Sequence, residues 1–92
     1  MTVADMEQFN TAREQLNARG WLCPEPVIKA RLWMREAGHG ERLHVIITDP
    51  HGELDLQVFC DRSGHRLLAC IKDDEADPIE WNVLIECVKT EQ

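Results

Sequence analysis

The chain has no apolar run longer than about five residues, as at Leu67 to Ile71, and a membrane span needs about 20. No segment is expected to cross a bilayer. Positive charge is scarce as well: 10 Lys and Arg against 17 Asp and Glu give a formal net charge of -7. That balance opposes the counterion release that drives non-specific binding to nucleic acid, so direct RNA or DNA binding is disfavoured. The first ten residues carry Asp5 and Glu7 and lack both a basic start and a following apolar stretch, so they do not read as a secretory signal. No internal repeat, low-complexity stretch or Pro-, Gly- or Ser-rich linker divides the 92 residues, which hold material for one hydrophobic core. Cys-x-x-Cys pairs are missing, and Cys23, Cys60 and His65 lack the ligand spacing of structural zinc sites, so no metal site is expected. Gly38, Gly40 and Gly52 fit neither a phosphate loop nor a dinucleotide fingerprint. With no export signal, the sequence predicts a cytoplasmic protein whose four cysteines stay as free thiols.

What is present is patterning. Residues 1–12 form an N-terminal extension in which Val3, Met6 and Phe9 are scattered apolar positions, fitting either a packed helical turn or a frayed tail. From Arg13 to Ala18, alternation puts Glu14, Leu16 and Ala18 on one face of a first strand that ends at Gly20. Prolines 24 and 26 mark a helix start, because the first turn has no partner for the amide hydrogen that proline lacks. The helix is expected from about Pro24 to Ala37, with Val27, Ala30, Met34 and Ala37 on its core face and Gly38 as its left-handed stop. Leu43 to Thr48 reads as a central strand. Asp49-Pro50 repeats the helix-start signal, and Leu56, Phe59, Cys60 and Ser63 form the core stripe of a second helix ending at Gly64. A third strand, His65 to Lys72, is expected to place His65, Leu67, Ala69 and Ile71 on one side. A fourth, Ile79 to Val88, alternates Ile79, Trp81, Val83, Ile85 and Cys87 with more polar positions, so one sheet face is expected to meet water. The fold class is therefore α/β: a two-layer sandwich in the order β-α-β-α-β-β, with both helices on one face of the sheet.

For chemistry, Cys23 stands out because it occupies the place where Ser, Thr, Asp or Asn usually caps a helix. A thiolate there would accept hydrogen bonds from the amides of Glu25 and Val27 and gain from the helix dipole. Pro24 and Pro26 remove two donors, and Glu25 adds a like charge that works the other way. Cys60, Cys70 and Cys87 sit in helix stripes or strands and read as buried apolar filling. His39, His44 and His51 read as structural or surface residues, and the acidic run Asp73 to Asp77 as a solvated turn.

The run Leu16-Asn17-Ala18-Arg19-Gly20-Trp21-Leu22-Cys23-Pro24-Glu25-Pro26-Val27 resembles the signature of TusA/SirA-type sulfur carriers. The likeness continues through Gly40-Glu41, Asp49-Pro50, Asp55, Phe59-Cys60 and Gly64-His65, so a single TusA-like domain is expected over residues 13–92. The resemblance implies a four-stranded mixed sheet like that of the C-terminal domain of translation initiation factor three. It also implies that Cys23 takes sulfane sulfur as a persulfide, with Pro24, Glu25 and Pro26 supporting the helix start and no bound cofactor. The implied partners are a pyridoxal-phosphate cysteine desulfurase or another persulfide donor, and a downstream sulfur acceptor serving tRNA thiolation, molybdenum-cofactor assembly or sulfur oxidation. This chain departs from the family in having Asn17 for the usual Asp, Trp21 for the usual Leu, and Leu22 where a polar residue is common. Arg19, Trp21, Leu22 and Glu25 are thus the candidate partner surface, with Trp21 either exposed there or filling core space beneath the loop. The alternative from another class is a non-enzymatic regulatory or protein-binding module that retains Cys23 as a helix cap.

Overall fold

The computed structural model describes residues 7–89. A 3-10 turn at Gln8–Thr11 leads into β1 (Glu14–Ala18), α1 (Glu25–Glu36), β2 (Arg42–Ile47), α2 (Pro50–Ser63), β3 (Arg66–Asp73) and β4 (Glu80–Glu86). The strands lie in the order β1-β2-β4-β3, with β1 parallel to β2 and β4 antiparallel to both β2 and β3. This is the expected β-α-β-α-β-β mixed sheet. Because β1 and β2 run parallel, they end at the same edge of the sheet, and each hands over there to a helix. Both helix starts therefore sit side by side.

The core lies between the sheet and the helices. From the strands it takes Ala18, Leu43, Val45, Ile47, Val83 and Ile85; from the helices, Ala30, Met34, Leu56 and Cys60. Gly52, buried in the first turn of α2, permits a close approach: a Cβ there would stand 2.9 Å from Ile47 Cδ1. Trp33 links α1 to β1, donating from Nε1 to Glu14 Oε1 at 3.0 Å.

Four expectations need correction. First, β4 is not half exposed: Trp81 to Ile85 are all buried, including Asn82 and Leu84 on the face away from the helices. On that face the buried Phe9 of the 3-10 turn meets the His44 ring at a centroid distance of 4.6 Å. His44 in turn bonds Asn82 Oδ1 through Nε2 at 2.8 Å, so the polar groups among this packing are satisfied. Val3 and Met6 lie outside the described residues.

Second, β3 does not keep one face throughout. Its register on β4 shifts between Leu67 and Ala69, so Leu67 opposes Ile85 while Cys70 opposes Val83. Leu67 and Cys70 pack on the core, whereas Ala69 and Ile71 oppose Leu84 and Asn82. One extra residue in a bulge reverses the alternation beyond it. Third, α1 ends at Glu36 without a left-handed Gly38; the positive-φ glycine of this turn is Gly40, at φ 89°. At the end of α2, Gly64 does take that role, at φ 86°. Fourth, Ser63 is exposed, and its hydroxyl donates to the Phe59 carbonyl at 2.7 Å instead of joining the core.

Candidate functional site

The loop from Arg19 to Pro24 is fastened to the end of β2 and the start of α2. Gly20 N donates to Thr48 Oγ1 and Cys23 N donates to Asp49 Oδ2, both at 2.9 Å. Asp49 is also the cap of α2, its other oxygen accepting from His51 N at 3.0 Å. One carboxylate thus closes a helix and positions the neighbouring loop. These two amides, that of Cys23 above all, hold its carboxyl below the ordinary carboxylate value.

Cys23 is exposed, whereas Cys60 and Cys87 are buried and Cys70 is half-buried. It is not the helix cap that its place in the sequence suggests. Pro24 occupies that position with no side-chain hydrogen bond, α1 begins at Glu25, and Glu25 N donates to the Leu22 carbonyl at 2.9 Å. The peptide bond from Cys23 to Pro24 is cis. The Cys23 thiol instead donates to Asp55 Oδ2, one turn into α2. The sequence sets the helix dipole and free amides against Glu25 and the two prolines; the structure adds a carboxylate to the side opposing the thiolate. The hydrogen bond to the Asp55 carboxylate, followed by partial desolvation and the negative charges of Asp55 and Asp49, raises the thiol above its ordinary value.

The other thiols are suppressed for different reasons. Burial, with the charge of Asp61, pushes Cys60 up to about 11. Burial and the Glu53 carboxylate, which accepts the Cys70 thiol at 3.4 Å, push Cys70 up to about 12. Cys87 is raised chiefly by burial and faces the Met34 carbonyl at 3.8 Å. All three fit the reading of cysteine as filling, with Cys70 the least enclosed.

Cys23 and Asp55 stand at one end of a groove of about 750 Å³ between α1 and α2. Val27, Met34, Val58 and Phe59 give it an apolar floor, and Arg31, Arg35, Arg62 and Lys89 line it with positive charge. Among the described residues, Arg31, Arg35 and Arg62 make no ion pair; Arg31 lies over the Phe59 ring at 5.9 Å. Lys89 donates to the Arg35 carbonyl at 3.0 Å. An acidic chain therefore carries a basic groove beside its exposed thiol. Two large apolar side chains are exposed near the thiol: Leu54, which lines the groove and is 63% exposed, and Leu22, the chain neighbour of Cys23, which is 74% exposed.

The candidate partner surface is only partly brought together. Leu22 is the exposed apolar residue next to Cys23, and Glu25 is exposed on the first turn of α1. Trp21 is half-buried and packs against the core, as the filling reading expects. Arg19 is committed to Glu80, at 2.6 Å from Nε to Oε2. Pro26 is buried and anchors the helix start. Sequence reasoning gave no role to Asp55 or to the groove arginines. Asp55 lay within the family-like motif, but its contact with Cys23 spans 32 positions and has no local signal. The arginines had a faint one, since Arg31 and Arg35 are four apart on one helix face. No cluster of His, Cys, Asp and Glu able to hold a metal occurs among the described residues, and none of their helices is long and apolar enough to cross a membrane.

Among solved structures, the fold is similar to that of a SirA-like protein from Desulfitobacterium hafniense. The TM-score is 0.71 at 23% sequence identity, covering 83% of this chain and 99% of that one. The family model described as sulfurtransferase TusA matches residues 14–86, from the first residue of β1 to the last of β4. That match takes in the Cys23 loop, both helix starts and most of the groove, and with it the chain belongs to the TusA sulfurtransferase family.

Proposed function

We propose that this protein accepts sulfane sulfur as a persulfide on Cys23 and passes it to a downstream acceptor. Family membership supports a sulfur-carrier role in general. The observation that carries the specific reading is the contrast among the thiols: Cys23 is exposed at the mouth of a groove, while the other three are wholly or partly enclosed. Loading is a thiol–persulfide exchange. The Cys23 sulfur attacks the outer sulfur of the donor persulfide, the donor's S–S bond breaks, and the donor leaves as a thiol once it regains a proton. The exchange is redox-neutral and needs no bound cofactor.

A pyridoxal-phosphate cysteine desulfurase, or another persulfide-bearing protein, is the proposed donor. The basic groove offers it a docking track, with Leu22 and Leu54 as apolar anchors that salt does not screen. In this reading the downstream acceptor serves tRNA thiolation, molybdenum-cofactor assembly or sulfur oxidation, and the relay runs in the cytoplasm, a compartment that keeps thiols reduced. Intact-mass analysis after incubation with a cysteine desulfurase and cysteine tests the proposal. A gain of roughly 32 Da, reversed by dithiothreitol and absent from Cys23→Ser, is expected. A folded wild-type chain that gains no such mass would favour a binding module with an idle thiol.

A further inference from the structure

Cys23 meets a carboxylate where an activated thiol would be expected to meet a cation. The carboxylate belongs to Asp55, reached across the helix interface, and its Oδ2 is in direct contact with the Cys23 thiol. Asp55 is half-buried, on the α2 face that lines the groove, so its orientation is set by the helix and not by a mobile loop. The Cys23 backbone is itself fixed by Asp49. Both partners of the contact are thus held from outside it.

We propose that Asp55 is a catalytic residue: it keeps Cys23 as a neutral thiol in the free carrier and receives the thiol proton as Cys23 attacks the donor persulfide. The inference rests on the persulfide reading above. In the step, the proton moves from Sγ to Asp55 as the new S–S bond forms. The donor's S–S bond breaks, its inner sulfur departs with the electron pair, and Asp55 returns the proton to that sulfur. The sum is Cys23 thiol plus donor persulfide giving Cys23 persulfide plus donor thiol, with no oxidant consumed. An internal base matters here because a donor docked over the exposed Leu22 and Leu54 would cover the thiol and remove bulk water as the proton acceptor.

Several other charges face the thiol. Asp49 opposes ionisation from the start of α2 and is itself paired with His51 at 3.2 Å. Glu25 lies two positions along the chain, at the start of α1. Arg31 and Arg35 on α1, Arg62 on α2, and Lys89 beyond them put positive charge along the same groove, while burial and Lys89 lower the pKa of His65, which also lines it. The direct contact belongs to Asp55, so its removal decides the balance.

The test compares wild type with Asp55→Asn, a near-isosteric change, after a thermal melt shows that both are folded. Alkylation of Cys23 by iodoacetamide against pH needs no sulfur donor. In Asp55→Asn its midpoint should fall, and alkylation near pH 7 should be about threefold faster, because the gain in thiolate outweighs its lower intrinsic nucleophilicity. Loading from a cysteine desulfurase should do the opposite, slowing at least about tenfold near pH 7. The ratio of variant to wild-type loading rates, in which the donor's own titration cancels, should rise with pH as the variant comes to depend on free thiolate. An unchanged or higher alkylation midpoint overturns the holding role. A lowered midpoint with an unchanged loading rate and a flat ratio overturns proton transfer. If wild type takes up no sulfur, the carrier function and the transfer step fall together, while alkylation still decides whether Asp55 holds the thiol.

Discussion

The chain contains two proline-marked helix starts, Cys23-Pro24-Glu25-Pro26 and Asp49-Pro50-His51, which lie side by side at one edge of the sheet and serve different ends. The α2 start is closed: Asp49 accepts from His51 N and fixes the helix. The α1 start has no side-chain cap, and Cys23 stands outside the helix, exposed, in contact with the other helix. Asp49 also serves the second start by accepting from Cys23 N. Stability is thus concentrated at one helix start, and its neighbour is free to present a reactive group. A serine or aspartate at position 23 would carry no sulfur.

The largest expected effect separates the two ends outright. Cys23→Ser should abolish sulfur loading, read by intact mass, and leave the melting temperature within about 2 °C, since the side chain caps nothing. A drop beyond that range would mean that Cys23 is structural after all. Trp21→Ala should do the reverse. Loss of a half-buried indole packed on the core should cost about 2 kcal/mol in urea unfolding, while loading per folded molecule persists.

Asp49→Ala tests whether one carboxylate supports both starts. The melting temperature should fall by roughly 5 °C, and loading should slow because the Cys23 loop loses its anchor. Since the folded state holds this carboxyl below its ordinary value of 3.8, its contribution is present above that value and is lost as pH falls through the lower, folded one. Acid titration followed by circular dichroism should therefore show the difference between wild type and variant narrowing below about pH 3.8. A difference independent of pH would assign the loss to helix propensity alone.

Cys60→Ala should have the smallest chemical effect, about 1 to 2 kcal/mol of stability with loading intact, because Cys60 is buried in the α2 stripe. Loss of loading in a folded Cys60→Ala protein would reveal a second relay thiol and weaken the contrast on which the site rests.

Most of the fold was legible because its signals are local. Pro24 and Pro26 mark one helix, Asp49 and Gly64 bracket the other, and the apolar run of β2 marks a strand covered on both faces. The misreadings required long-range information. The bulge after Leu67 exists only relative to β4, so period-two counting along β3 could not show that Cys70 faces the core. The covered outer face depends on Phe9 reaching His44, 35 positions away by their numbers. At the site, the residue identity of Cys23 was informative and its electrostatics were not. Helix-cap logic treats the dipole of α1 as the nearest field, whereas the decisive charge, Asp55, arrives from another helix.

The basic groove also gives this molecule a direction in space. A body of net charge -7 with Arg31, Arg35, Arg62 and Lys89 gathered along one groove is an electric dipole as well as an anion. The field of an approaching partner pushes on the whole and twists it at the same time. At physiological salt the screening length is about 8 Å, so that torque acts over roughly the last nanometre of approach. An acidic patch would turn the carrier groove-first within that distance. Cys23, fixed at the groove's end, would then arrive already pointing at the partner, and fewer collisions would be spent on the wrong face.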